Sequence, residues 1–147
     1  MTEKIQEITN DKWVKALLER PVLARIATAN PRTYQPHVVP VWFEWDGECI
    51  WISSFRSTRK IREIMRNPRV SIVVDTADEP QGMQAVIFEG RAELISDPRI
   101  VVPRSTTIYT RYLGEDGVKD PEPASWIVDP ENLIICLKPE KVYTSRG

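Results

Sequence analysis

Between positions 56 and 69 the sequence places Arg56, Arg59, Lys60, Arg62, Arg66 and Arg69 against a single acid, Glu63. The stretch opens Ser57-Thr58-Arg59-Lys60 and carries Ile61, Ile64 and Met65 at i, i+3, i+4. That is the pattern of a helix opened by a hydroxyl cap. Two cations then sit in the first turn, where the dipole is already positive and each costs about 0.3–1 kcal/mol. An anion bound at that end removes the cost. Unpaired backbone N–H groups, two hydroxyls and two cations make a phosphate cradle. The same residues also describe a solvated helix that happens to be basic, and residue types alone leave the two readings even.

A second set lies on strands. Pro40 interrupts Val38-Val39-Pro40-Val41-Trp42-Phe43. It cannot donate to a ladder, so the strand is at an edge or bulged there, with backbone groups free to bond a planar heterocycle. Trp42 and Trp51 are expected to meet across a hairpin and wall such a site. Taken singly, each Trp reads better as packing. Ser53 and Ser54 end the return strand just before the basic helix, with hydroxyls toward a ligand held there. His37, a lone His beside a turn, reads as a surface or satisfied residue. Cys49 and Cys136 read as small buried fillers. Glu44 and Glu89 have no evident partner. No residue is expected to act as catalyst, and no metal site is expected.

Composition agrees with that shortage. The 147 residues hold 20 basic and 21 acidic side chains, one His and two Cys. This length suits one domain, 1–147, with a core of its own. Near-zero net charge argues against a protein built around nucleic acid. Two Cys do not make a disulfide framework, and one His without Cys-x-x-Cys argues against structural zinc. The polar N-terminus lacks the apolar core of a signal peptide. The longest apolar run, 38–43, is far short of a membrane span. A cytoplasmic protein with reduced thiols is expected. If it is an enzyme, the hard step belongs to a cofactor.

The elements that must position these residues follow from periodicity. A helix is predicted over 11–19, ended by Pro21, then a strand over 22–29 and a turn at 30–33. A strand over 37–45, a two-residue turn at Asp46-Gly47 and a strand over 48–54 make a hairpin. The basic helix over 57–66 stops at Asn67-Pro68. A strand over 69–76 is apolar enough at its centre to be buried on both faces. A long strand covers 83–95 with Gly90 as bulge or bend. A helical stretch from Asp97-Pro98 must break at Pro103 and end at Gly114. Residues 115–125 read as an acidic loop with a short helical piece, and strands over 133–137 and 142–144 close the chain. Short turns imply antiparallel pairing. Six or seven strands with few helices imply a mainly β fold, a barrel plugged by helices.

Three stretches together, Gln35–Gly47, Trp51–Lys60, and Arg66–Asp75 followed by Phe88–Leu94, resemble the pyridoxamine 5′-phosphate oxidase-like, FMN-binding split-barrel superfamily. The resemblance implies a six-stranded antiparallel split barrel, homodimeric, with two flavin sites at the interface. It implies that Val39, Pro40, Val41 and Trp42 lie along the flavin ring. It puts Ser53 and Ser54 near the ribityl chain and Ser57, Thr58, Arg59 and Lys60 on the phosphate. Gln84 stands close to a ring-binding Gln of the family, with Trp126 as a contribution of the second subunit. The Arg near Val38 and the basic C-terminal segment of true pyridoxamine phosphate oxidases are missing, which argues against vitamin B6 oxidation. The implied activity is FMN-dependent hydride transfer to or from a small organic substrate. The alternatives are an F420-dependent reductase on the same barrel and a non-catalytic flavin or nucleic-acid binding module.

Overall fold

The computed structural model describes residues 3–78 and 81–147. The predicted strands appear as β1 (Ala24–Ala29), β2 (Pro36–Val41), β3 (Glu44–Trp45), β4 (Ile50–Phe55), β5 (Arg69–Thr76), β6 (Gln84–Ile95), β7 (Asn132–Leu137) and β8 (Lys141–Arg146). The helices are α1 (Glu3–Thr9), α2 (Lys12–Glu19), α3 (Arg59–Arg66), α4 (Pro98–Gly117) and α5 (Pro121–Val128). All pairings are antiparallel, in the order β2-β1-β5-β6-β7-β4-β3, with β8 on the first half of β6. The six longer strands of that path are the expected split barrel. The two-residue β3 and the terminal β8 are additions.

Alternation builds the inside. Ile26, Ile52, Ile72, Val74, Val86 and Phe88 point inward and are fully buried. Leu17 and Leu18 of α2 and Ile61 and Ile64 of α3 join the same core. Each such aliphatic side chain contributes about 1.5–3 kcal/mol by leaving water. A second cluster, with Val101, Ile108, Tyr109 and Ile127, packs α4 and α5 on the outer face of the barrel near Ile134. All six positions of β7 are buried, because barrel lies on one side of it and helix on the other. β5, by contrast, alternates, with Val73 only half-buried. Its apolar centre does not mean burial on both faces in one chain.

Several local expectations shift. α1 precedes the helix expected over 11–19. The strand expected over 37–45 is broken at Trp42-Phe43. Its first part pairs with β1, in the register Ile26↔Val39, and only Glu44 and Trp45 pair with β4. Trp42 and Trp51 therefore do not face each other across a hairpin. The turn centres on Gly47-Glu48, one residue later than expected. Asp46 Oδ1 accepts from the Glu48 and Cys49 N–H groups, and Gly47 takes φ 101°. α4 runs through Pro103 without a break, and its non-helical residue is Gly114. Most of 115–125 is helical rather than loop. Gly90 marks the place where β6 changes partner from β8 to β7. A side chain there would meet the Glu140 N at 3.2 Å.

The break after Trp42 is held from α4. Arg111 donates to the Phe43 carbonyl at 3.0 Å and to the Leu18, Glu19 and Arg20 carbonyls at the end of α2. Tyr112 OH donates to the Val22 carbonyl at 2.7 Å and accepts the Phe43 N–H at 3.1 Å. Arg111→Ala leaves these carbonyls without their charged donor. It should cost about 2 kcal/mol, read as a lower urea midpoint with an unchanged slope.

Candidate functional site

The site is built where two element ends meet. β2 is an edge strand, as Pro40 requires, and Pro40 stands exposed on its outer face. α3 begins after β4, with Thr58 as its N-cap. The Thr58 hydroxyl does not cap. It donates back to the Phe55 carbonyl at 2.9 Å and lies 3.2 Å from Ser54 Oγ. The first backbone N–H accepted within α3 is that of Arg62, by the Thr58 carbonyl. The N–H groups of Arg59, Lys60 and Ile61 are thus left for an outside acceptor.

Between these ends lies a cavity of about 450 Å³ lined by Leu23, Pro40, Val41, Trp42, Ser53 and Lys60, with Tyr109 and Trp126 beside them. Five of the residues singled out from sequence meet here: Pro40, Val41, Trp42, Ser53 and Lys60. Burial lowers the Lys60 pKa; an anion beside the ammonium would offset that desolvation. Trp42 is fixed by a parallel stack on Tyr112, with centroids 4.8 Å apart, and by the edge of Tyr109 at 5.6 Å.

The others fall nearby or away. Val39 turns inward and packs against the barrel core. Ser54 is buried behind the cavity. The Ser57 carbonyl accepts from Arg62. Arg59 leaves the cradle: its Nε donates at 3.2 Å to Glu63, a buried acid that also accepts the Thr28 hydroxyl at 2.6 Å. Gln84 lies on the inner face of β6, two residues before the fully buried Val86, and lines a different cavity. Lining that other cavity, it stands apart from the Trp42 wall. Trp126 reaches the Trp42 cavity from the chain's own α5, with its ring centroid 6.0 Å from that of Tyr109.

Sequence reading missed the groups that hold Ser53. Ser53 Oγ donates to Asn132 Oδ1 at 2.7 Å, and Asn132 Nδ2 donates to Ser105 Oγ at 2.9 Å and to the Ile127 carbonyl. Ser105 Oγ closes the ring by donating to Ser53 Oγ at 3.1 Å, and Tyr109 OH lies 3.3 Å from the same oxygen. Burial raises the Tyr109 pKa, so the phenol keeps its proton at neutral pH. Tyr109 and Tyr112 stand at i, i+3 in the helical stretch predicted after Asp97-Pro98. Their hydroxyl contacts were not legible there, because Tyr109 OH meets Ser53 on β4 and Tyr112 OH meets Val22 and Phe43, all far away along the chain.

Trp51 is covered by the Arg104 guanidinium, 3.9 Å from the ring centroid, and donates to Asp46 at 2.8 Å. With Trp42 under Tyr112, neither indole offers two free faces to a base. Burial pushes the Cys136 thiol up to about 12 and raises Cys49 as well, so neither is a thiolate nucleophile at neutral pH.

The comparisons match this architecture. A model of the pyridoxamine 5′-phosphate oxidase family matches residues 11–146. The chain belongs to the pyridoxamine 5′-phosphate oxidase family. A conserved hypothetical protein from Mycobacterium tuberculosis is similar over 99% of this chain and 85% of its own, with 23% identity and TM-score 0.75. An F420 reductase is similar over 88% of this chain and 94% of its own, with 29% identity and TM-score 0.70. A putative pyridoxamine 5′-phosphate oxidase from Listeria innocua covers 97% and 99%, with 20% identity and TM-score 0.69. Among curated proteins no sequence matches the chain. Among the described residues no helix of this family member is long and apolar enough to cross a membrane.

Glu63 gives the family member a pH dependence. The Thr28 hydrogen bond, then Arg59, hold its carboxyl below the ordinary 4.5. A depressed folded pKa means stability present above that value and lost as pH falls through and below it. Thr28→Val should therefore destabilise near neutral pH by about 2 kcal/mol. The gap between variant and parent in urea midpoint should narrow below about pH 4. A gap independent of pH would separate the Thr28 contribution from Glu63.

Proposed function

We propose that the chain is an FMN-dependent oxidoreductase that works as a homodimer, with a flavin at each interface site. The observation that carries this reading is one cavity that joins the Pro40–Trp42 wall to Lys60 at the uncapped start of α3. The residues fit the group. Lys60 and the free N–H groups of the first turn would hold the phosphate, with the Ser57 and Thr58 hydroxyls beside them. Pro40, Val41 and Trp42 would line the ring and Ser53 the ribityl chain. FMN, when bound, supplies hydride transfer at its N5 to or from a small organic substrate. The protein's part is to bind, orient and exclude water. Tyr109 keeps a protonated hydroxyl at the wall, and Trp42 and Trp126 keep the cavity apolar.

The homodimer is supported by a row across the outer sheet face. The register aligns Pro40, Arg25, Val73, Ile87 and Tyr143. Leu23 and Val38 are exposed at 41% and 62%, and apolar surface of this kind marks an interaction face. The F420 reductase at 29% identity favours a second reading, an F420-dependent reductase on the same cavity.

The test is the absorbance and mass of cofactor released from purified protein, with titrations of the stripped protein by FMN and by F420. FMN release and tight FMN uptake are expected. A colourless protein that takes up neither would overturn both readings. Uptake of F420 alone would select the second. Cofactor binding by a monomer in sedimentation would remove the interface from the proposal.

A further inference from the structure

Arg59 and Lys60 are neighbours in the first turn of α3, and both belong to the cradle expected from the sequence. Of the two, Lys60 lines the Trp42 cavity, and it is the one cation among the residues that line it. Arg59 lines a separate hollow of about 250 Å³ with Asn30, Pro31, Arg62, Glu63 and Arg66. Glu63 is what draws it there. This acid is 6% exposed and accepts the Thr28 hydroxyl of β1 at 2.6 Å. That bond, and Arg59 after it, hold the carboxyl below the ordinary 4.5, so it is charged at neutral pH. A buried charge requires a partner, and Arg59 supplies one through Nε at 3.2 Å.

The helix by itself does not favour this pairing. A cation four residues before an acid is the weaker order for an i, i+4 pair. Arg59 also stands at the positive end of the helix dipole. A phosphate at the free N–H groups of the same turn would suit the guanidinium better, since it brings both charge and several acceptors. Burial of Glu63 and its anchor on Thr28 are what keep Arg59 on the far side of α3.

We infer that Glu63 is a positioning residue of the phosphate cradle. Anchored by Thr28, it withholds Arg59 and leaves Lys60 as the one cation on the cavity wall. The protein therefore grips a phosphate less firmly than its adjacent Arg and Lys would allow. This role rests on the flavin reading above, since it concerns how that site holds the FMN phosphate. Glu63 touches neither flavin nor substrate and acts through Arg59. An uncharged side chain at position 63 has no claim on the guanidinium, which is then free to turn to the anion.

The test titrates the intact protein with FMN and with riboflavin, followed by flavin fluorescence and by proton–nitrogen NMR of the Arg59 Nε–H. Glu63→Gln keeps the shape and an acceptor for Thr28 but removes the charge. It should tighten FMN about tenfold or more, the factor for one added charge-assisted hydrogen bond, and leave riboflavin nearly unchanged. Arg59→Ala added to Glu63→Gln should remove the gain. In the parent, saturating FMN should shift the Lys60 backbone N–H and leave the Arg59 Nε–H in place; in Glu63→Gln both should shift. An unchanged ratio of FMN to riboflavin affinity in Glu63→Gln overturns the inference, as does a gain that survives Arg59→Ala. An Arg59 Nε–H that moves with FMN in the parent overturns it too, and that measurement needs no variant to fold. Uptake of FMN by the parent tells the two failures apart. With uptake, these results remove only the role of Glu63; without it, the flavin reading falls and this inference falls with it.

Discussion

Lys60→Ala should weaken FMN binding by roughly 10–100-fold and leave riboflavin nearly unchanged, since a charge-assisted hydrogen bond to phosphate is worth about 1.5–3 kcal/mol. Only FMN carries that phosphate, so the ratio of the two affinities isolates the cradle from the ring site. Lys60 lines the cavity beside Ser53 and Trp42, and burial already disfavours its charge. Removing it thus relieves a desolvation cost in the free protein while it deprives the bound anion of a partner. Arg59, its neighbour in sequence, gives the contrast. It donates to buried Glu63 on the other side of α3. Arg59→Ala should lower stability more than it lowers FMN affinity. Fluorescence titration with both ligands, beside thermal melts of each variant, reads the two effects separately. An equal loss of riboflavin and FMN on Lys60→Ala would mean that the phosphate lies elsewhere.

Asn132→Ala should lower the melting temperature by about 10 °C, because roughly 3 kcal/mol is lost and a chain of this size changes by about 3 °C per kcal/mol. Asn132 is 3% exposed and bonds three groups: Ser53 Oγ, Ser105 Oγ and the Ile127 carbonyl. Truncation leaves all three short of a partner inside the protein and opens a void beneath α5. Ser53 then loses the acceptor that orients it at the cavity wall, so affinity for flavin should fall together with stability. Asn132→Asp is the informative companion. It keeps an acceptor for Ser53 but loses the two N–H donations, and should lie between the parent and Asn132→Ala. A melt of Asn132→Ala within about 2 °C of the parent would show that water replaces the amide at little cost.

Much of the site was legible because it is local. Ser57-Thr58-Arg59-Lys60 marks a helix start wherever it occurs in a chain, and Pro40 marks an edge strand for a reason internal to proline. What stayed illegible depends on neighbours far along the chain. Arg59 and Lys60 are adjacent in sequence, yet the 100° step of a helix sends one to Glu63 and Thr28 and the other to Trp42. Gln84 looks interchangeable with its neighbours until the register of β6 decides which face it takes. Asn132 has no periodic signal at all, since its role is set by Ser105, 27 residues earlier.

By itself the sequence determined the family, the strand-rich plan, the edge at Pro40 and the concentration of cations at one helix start. Each of these rests on periodicity, on proline's missing donor or on charge spacing, and all act within a few residues. Only the tertiary structure decided that β2 pairs with β1 rather than with the return strand. The pattern of apolar residues is the same for both pairings; in the folded chain β2 pairs with β1 along six residues, and Arg111 and Tyr112 hold the break at Phe43 from α4. Likewise only the packed barrel joins Lys60, Ser53 and Trp42 around one cavity and leaves Gln84 over another, because side-chain direction follows register, and register is settled by the whole sheet.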